Sequence, residues 1–453
     1  MNKFPVIFLR RLLLFLSNRR RIGIEFSVTL IGSVMNAAFS FFSLKILSVH
    51  FSKVDYADYA LSVTISALSG LFFYGPFSTA CSKFLLLADT RSESDVFFDS
   101  VSSIFGKAIR LHLVVAVSLG FLFFVFGLRS SLVYALVISV LSSAYAGRLS
   151  IYENIYATRR ERVPALFVSL IATACRVGVV SLAVILGSKQ VFQALLFSLI
   201  SIAFADFFIK RRFFSANCLY PIRSPSSEYY SHLIAHTLPV SWWTFPQWLQ
   251  QSVDRWVLDF RFGPQTTAEF SILSSIFCNP LNLLASSVNQ FILPILYQRF
   301  ASSGEGVFRD LVARSMQAIA LFIVAALPIL IVSALWPNVL IGVLSDLKYL
   351  NISVFSLEMV IATLLTTIAN FLMFPIMVYG DFKFLTPFKV TSSLIGLLLI
   401  GCGAYFDGVK GAVLGYLLFG LFSGVLSVLM ITLFLQKLSR LGKVGKRCSI
   451  SEN

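Results

Sequence analysis

The sequence predicts an all-α integral membrane protein, with about 12 transmembrane helices in two pseudo-symmetric six-helix bundles around a central cavity. Three observations lead there. The 453 residues are 57% hydrophobic and only 13% charged, with a mean hydropathy of +0.84, whereas soluble chains carry about 25% charge. Apolar stretches recur along the whole length, each close to the roughly 20 residues a helix needs to cross the hydrocarbon core. Basic residues crowd into every second joint between them, as the positive-inside rule describes.

The spans read 25–47, 59–81, 106–128, 132–156, 164–187, 190–209, 236–258, 268–297, 312–336, 353–379, 386–406 and 411–436. Counted from a cytoplasmic N-terminus, only six of the 37 basic residues fall in outer joints: Lys53, Arg129, Lys189, Arg261, Lys348 and Lys410. Four more, Lys45, Arg148, Arg176 and Arg255, lie inside spans. Both termini are therefore expected in the cytoplasm. Residues 1–24 carry an apolar run broken by Arg10 and Arg11 and followed by Arg19-Arg20-Arg21. A signal peptide has its charges before the apolar run, so an interfacial amphipathic helix is the better reading. The domain plan is an N-lobe at 25–209, a cytoplasmic linker at 210–235, a C-lobe at 236–436 and a cytoplasmic tail at 437–453.

The net charge of +16 follows from the inward bias and from contact with anionic headgroups, so membrane lipid is the expected partner and nucleic acid is not. The six cysteines, Cys81, Cys175, Cys218, Cys278, Cys402 and Cys448, are scattered without a C-x-x-C pair, which argues against a disulfide framework or a zinc site. His50, His112, His232 and His236 form no ligand cluster with acids, and there is no phosphate-binding Walker loop. No metal, cofactor or catalytic residue set is expected, so the chain reads as a non-enzyme.

An internal repeat supports the two lobes. Phe51-Ser52-Lys53-Val54-Asp55-Tyr56-Ala57-Asp58-Tyr59 recurs as Phe262-Gly263-Pro264-Gln265-Thr266-Thr267-Ala268-Glu269-Phe270, with a turn, then Ala, an acid and an aromatic. Tyr156, Arg160 and Pro164 echo Tyr379, Lys383 and Pro387 more faintly. Both pairs sit in joints of the same side and order, as in transporters built from two like-oriented bundles.

Polar residues at helical steps mark the expected cavity wall. Span one has Thr29, Ser33, Asn36, Ser40 and Ser43; span seven has Thr244, Gln247, Gln251 and Asp254; span eight has Ser275, Asn279, Asn282, Ser286 and Asn289. Such faces avoid lipid, and single serines need nothing beyond interhelical hydrogen bonding. The length of these rows favours water. Arg148, Arg176, Arg255 and Lys45 are candidate substrate cations, since guanidinium binds phosphate oxygens in bidentate fashion. Other readings stand beside this one: Lys45 and Asp206 near span ends can snorkel, Arg255 can serve a nearby acid, and Arg176 can belong to a buried ion pair. Trp242, Trp243 and Trp256 fit an interfacial belt, while Trp248 lies deeper, where it either packs in the core or stacks on a sugar. Gly411/Gly415 and Gly420/Gly424 read as close helix packing.

Span seven carries a resemblance. Val253-Asp254-Arg255-Trp256-Val257-Leu258, then Phe262-Gly263-Pro264 and Ala268-Glu269-Phe270, resembles the stretch typical of O-antigen and polysaccharide flippases of the multidrug/oligosaccharidyl-lipid/polysaccharide (MOP) exporter superfamily. Gly380-Asp381-Phe382-Lys383 and Phe406-Asp407-Gly408-Val409-Lys410-Gly411-Ala412 resemble that family's later joints in the right order. The first-lobe turn departs, with Phe51-Ser52-Lys53 where the family often has Gly. The resemblance implies a multi-pass protein of the bacterial cytoplasmic (inner) membrane. It would move an undecaprenyl-diphosphate-linked oligosaccharide to the periplasmic leaflet, with a polysaccharide polymerase and chain-length regulator as partners. It also implies coupling to an ion gradient, for which Asp254 and Glu358 are the candidates. A lipid II flippase and a multidrug or cation antiporter of the same superfamily are the alternatives, and a membrane glycan polymerase a more distant one.

Overall fold

The computed structural model describes residues 20–127, 129–159, 161–188, 190–216, 227–302, 307–380 and 382–440. The described chain is helical, with no strand. The expected interfacial helix at 4–17, the middle of the linker (217–226) and most of the tail lie outside the described residues. In order, α1 is Arg20–His50, α2 Lys53–Thr90, α3 Ser94–Val125, α4 Ser130–Thr158, α5 Arg162–Ile185 and α6 Val191–Ala216. Then come α7 (Ser227–Phe262), a two-part α8 (Pro264–Phe277 and Asn279–Ser302), α9 (Val307–Leu335) and, after a short helix at Pro337–Leu344, α10 (Leu347–Tyr379). The last run, Phe382–Arg440, is interrupted at Asp407 and Gly408 and is written here as α11 (382–406) and α12 (409–440).

Among the described residues, nine helices are long and apolar enough to span a bilayer, and the two parts of α8, bent by 42°, make a tenth. Two facts bring the number of rods to twelve. The α11–α12 run folds back on itself: Gly403 meets Gly411, Gly415 meets Leu399 and Ile400, and Gly396 meets Phe419. The residue numbers in each contact rise on one side as they fall on the other, which only an antiparallel hairpin produces. Gly408 turns the corner at φ +58°, a conformation that favours glycine, and a Cβ at Gly415 would stand 2.5 Å from the Leu399 carbonyl oxygen. The other fact is α7, 36 residues long but too polar to pass on hydropathy alone. It is spared contact with lipid over much of its surface by packing against α2, α8, α11 and α12.

Helices begin and end beyond the apolar spans. The linker expected at 210–235 is helical at both ends, with α6 running to Ala216 and α7 starting at Ser227. Tyr229, near the start of α7, donates its hydroxyl to Glu93 at 2.6 Å and packs edge-on against Phe97. The polar start of α7 is thus docked on the first half.

The hydrophobic cores give the molecule two unlike ends. One large core draws on both halves; the first half enters it near the joints at 51–52, 126–129 and 186–190, through residues such as Leu47, Phe51, Tyr56, Ala135, Val184 and Val191, which join Leu258, Phe270 and Leu281. At the opposite end there are two separate cores, one of the first half together with the start of α7 and one of the second half. Phe97, Phe105, Tyr152 and Phe213 belong to one, and Phe308, Ile376, Leu385 and Phe434 to the other. The two bundles are fused at one end and parted at the other.

Ion pairs reinforce the fused end. Lys53 binds Glu269 at 2.6 Å, and Arg129 bridges Asp58 at 2.7 Å and Asp259 at 3.1 Å. Lys348 Nζ donates to the Phe51 carbonyl at 2.9 Å. Three of the six basic residues that depart from the inward bias, Lys53, Arg129 and Lys348, are thus engaged here in holding the halves together. Lys53 and Glu269 come from the two copies of the repeat.

Arg148 requires a correction. Expected on the cavity wall, it forms a fork-like pair with Asp206 of α6 through both Nε and Nη2, with side chains 11% and 1% exposed. Asp206 does not snorkel. A carboxylate and a guanidinium this little exposed each need the other, because an unpaired buried charge is costly. Arg148→Ala is expected to lower stability by about 3–5 kcal/mol by stranding Asp206. The double replacement Arg148→Met with Asp206→Leu should restore the melting temperature in detergent; a double variant as unstable as the single one would mean the pair is not what Arg148 contributes.

Candidate functional site

Between the parted bundles lies a cavity of about 1230 Å³, larger than a drug-sized pocket. It begins beneath the fused end at Leu47 and Tyr56 and reaches the other end at Ser82, Asn154, His236 and Lys389. Both halves line it.

Three departures from α-helical winding shape the wall. In α5 the turn Ala174–Gly178 is a π-helix, which releases carbonyls from the regular ladder. Ser198 of α6 satisfies them, its hydroxyl donating to the Cys175 carbonyl at 2.9 Å and the Arg176 carbonyl at 3.2 Å. Arg176 sits in that turn, exposed to the cavity, and has no acidic partner among the described residues. In α2 the turn Gly70–Tyr74 is also π-helical, and Gly70, Tyr74 and Gly75 line the cavity. The break in α8 is written in the sequence as Asn279-Pro280: the proline lacks the N–H that would continue the ladder. It leaves Cys278, Asn279 and Asn282 facing the cavity.

Arg255 lines the cavity from α7. Its Nη2 donates to Ser274 Oγ at 3.3 Å and its Nη1 to the Gln251 carbonyl at 3.2 Å. Asp254 lies behind it, wholly buried, with Oδ1 3.7 Å from the guanidinium. Asp254 Oδ1 accepts from the Arg255 backbone N–H at 2.6 Å and Oδ2 from the Tyr416 hydroxyl at 2.8 Å. Asp254 therefore reaches the cavity only through Arg255 and Tyr416. Tyr56 stands within Coulombic reach of Arg255, and Tyr59 within reach of Arg176, so the two arginines flank these tyrosines from opposite halves.

The other expected residues divide. Ser40, Gln247, Gln251, Asn279 and Asn282 line the cavity, as do Ser43 and Ser275. Ser33, Asn36, Ser286 and Asn289 do not. Ser33 accepts from Ser287 at 2.9 Å and Asn36 donates to Ser169 at 3.1 Å, which makes them interhelical contacts of α1. The polar row on α8 leaves the lining after Asn282, where the helix packs against α1 through the Ser287–Ser33 contact. Lys45 is also off the wall, its ammonium bound to the carbonyls of Gly342 at 2.8 Å and Ser345 at 2.6 Å. Trp248 touches the cavity, but its indole N–H donates to the Thr64 carbonyl at 2.7 Å and its ring packs among Leu61, Leu136 and Val140. Glu358, in the first turn after the 3-10 start of α10, lies outside the lining, with Oε2 buried and unpaired.

Sequence reasoning missed several lining groups. Ser139, Ser143, Ser150 and Asn154 form a row along α4, at helical steps that were open to reading. Lys389 lines the cavity from α11 and donates to Asn370 Oδ1 of α10 at 2.8 Å; in the sequence it merges with the inward-biased basic residues. The described lining thus holds Arg176, Arg255 and Lys389, and no Asp or Glu.

No protein family's sequence profile matches the chain, and no curated protein matches it in sequence. Solved structures do. The chain is similar to a multidrug resistance MATE family transporter of the MOP superfamily in its inward-facing conformation, with TM-score 0.63 and 12% identity over 92% of this chain and 99% of that one. It is similar to the MATE multidrug transporter DinF-BH, with TM-score 0.68 and 16% identity over 94% and 96%. It is also similar to the lipid II flippase MurJ, inward closed, with TM-score 0.65 and 15% identity over 94% of each chain. Likeness at these identities establishes the fold: the chain has the two-lobe helical architecture of MOP transporters.

The geometry sets which positions meet water. Single cysteines at 139, 143, 150, 275, 279 and 282, in a variant lacking the native cysteines, are expected to react with a small polar thiol reagent. Cysteines at 33 and 36 should stay protected. Equal reaction at 33 and 282 would place the cavity wall elsewhere.

Proposed function

We propose that the protein is a flippase for an undecaprenyl-diphosphate-linked oligosaccharide, working by alternating access between its two bundles. The observation that carries this reading is the charge of the lining: three basic side chains from α5, α7 and α11 and, among the described residues, no acid. A cationic drug would find no counter-charge there, which disfavours the antiporter alternative. A diphosphate would find Arg176 and Arg255 on opposite walls, and the Ser, Asn and Gln side chains suit a glycan. Binding at an interface of two bundles that rock against each other fits the general plan of such transporters.

On the basic-residue asymmetry, the fused end faces the periplasm and the parted end the cytoplasm, so the cavity stands open to the side where a lipid-linked unit is made. Transport without catalysis then follows, in the bacterial inner membrane, with a polymerase and a chain-length regulator as downstream partners. A lipid II flippase is the second reading, favoured by the likeness to MurJ and by a substrate that is also a diphosphate. Coupling through Asp254 is part of the proposal: its carboxylate holds the guanidinium that would bind the diphosphate, so a change of charge at one is felt by the other. Glu358 has no such link to the cavity.

Arg176 offers the cleaner test because its removal strands no acid. Arg176→Gln is expected to leave protein level and melting temperature unchanged while weakening binding of a short-chain polyprenyl diphosphate disaccharide about 10- to 100-fold, the worth of a charge-assisted hydrogen bond of about 1.5–3 kcal/mol. Arg176→Lys should keep part of it, since charge survives without the fork. Unchanged binding in Arg176→Gln would remove the diphosphate from this site.

A further inference from the structure

Of the three cations in the described lining of the cavity, Lys389 is the one set apart from the two arginines. It sits on the cavity wall near the parted end, and its one hydrogen-bond partner is the neutral Asn370 amide at 2.8 Å. Ser392 and Ser393, one turn further along α11, line the same wall. An ammonium in a membrane interior normally has a counter-charge, and here the described lining holds none.

Its distance from the arginines decides what it can bind. α11 and α7 run side by side in the same direction, with Gly396 against Gln250 and Gly401 against Val253. Extending that register seven residues back places Lys389 level with about residue 243 of α7. Arg255 is then some twelve residues away, about 18 Å along the axis at 1.5 Å per residue. A single diphosphate, only about two phosphate groups long, does not bridge that gap even when both side chains lean inward.

We propose that Lys389, with Ser392 and Ser393, forms a second anion subsite for a singly charged group on the glycan, of the uronic-acid carboxylate type, so that the cargo is an acidic oligosaccharide. This rests on the reading that Arg176 and Arg255 hold the diphosphate. Standing apart from the arginines, Lys389 offers one positive charge with three donors, and the Ser392 and Ser393 hydroxyls beside it complete a site sized for a single anionic group. The two subsites then read the two ends of one headgroup: lipid diphosphate deep under the fused end, acidic sugar toward the open end.

The test uses purified protein in nanodiscs and two probes: a short-chain polyprenyl diphosphate disaccharide ending in glucuronic acid, and its methyl ester, which has the same shape without the charge. Wild type is expected to bind the acid more tightly than the ester. Lys389→Gln should weaken the acid about tenfold, as loss of one charge-assisted hydrogen bond does, and leave the ester unchanged, which also reports that the variant is folded. Arg176→Gln should weaken both probes alike. Lys389→Gln weakening both probes equally would mean that Lys389 serves the diphosphate or a lipid headgroup, and would overturn the proposal, as would no effect on either. If Arg176→Gln affects neither probe while Lys389→Gln still discriminates between them, the diphosphate reading fails and the acidic-sugar site stands.

Discussion

A polar group inside a bilayer must be given either a partner or water, and the arrangement of this protein follows from how each one is provided for. Arg148 and Asp206 are given each other. Lys45 is given two backbone carbonyls, and Ser33 and Asn36 are given serines on neighbouring helices. Others, Arg176, Arg255 and Lys389 among them, face a common cavity. Polar faces that must avoid lipid are thereby gathered around one space between the halves.

That space exists because the two bundles share a core at one end only. Apolar contact through Phe51, Tyr56, Leu258 and Phe270, with ion pairs such as Lys53–Glu269 above it, closes the molecule over the cavity. At the other end Phe213 and Phe434 anchor cores that never meet. An ion pair at an aqueous rim is worth little by itself, so the closure at this end rests mainly on the shared apolar core, with the ion pairs fixing how the two halves meet.

The charge of the cavity and its irregular backbone belong together. Arg176 stands in a π-helical turn whose freed carbonyls are bound by Ser198, and Asn279 and Asn282 face inward where Pro280 bends α8. Non-helical backbone at membrane depth is tolerated only beside protein or water. These turns mark the same surface that the polar side chains mark.

Much of this was legible in the chain. Periodic apolar spans, alternating basic joints and the repeat between 51–59 and 262–270 determined the class, the number of rods and their pairing into two halves, because lipid imposes length and composition on every span separately. The glycines at 408, 411 and 415 announced the close hairpin at the end of the chain, since only a missing side chain allows that approach. Which polar residues meet water was decided by the tertiary structure alone. Ser286 and Asn282 occupy equivalent steps of one row, yet only Asn282 lines the cavity, because the helix packs against α1 at the level of Ser286 and Ser287. Arg148 and Arg176 look alike as buried arginines, yet an aspartate 58 positions away in sequence pairs with one and not with the other. Lys389 passes in the sequence for an ordinary inward-side lysine, and only the packing of α11 against α7 and α10 turns it to the cavity. A helix's own sequence states that a face must avoid lipid; whether that face then meets a partner or water depends on what the rest of the chain brings against it.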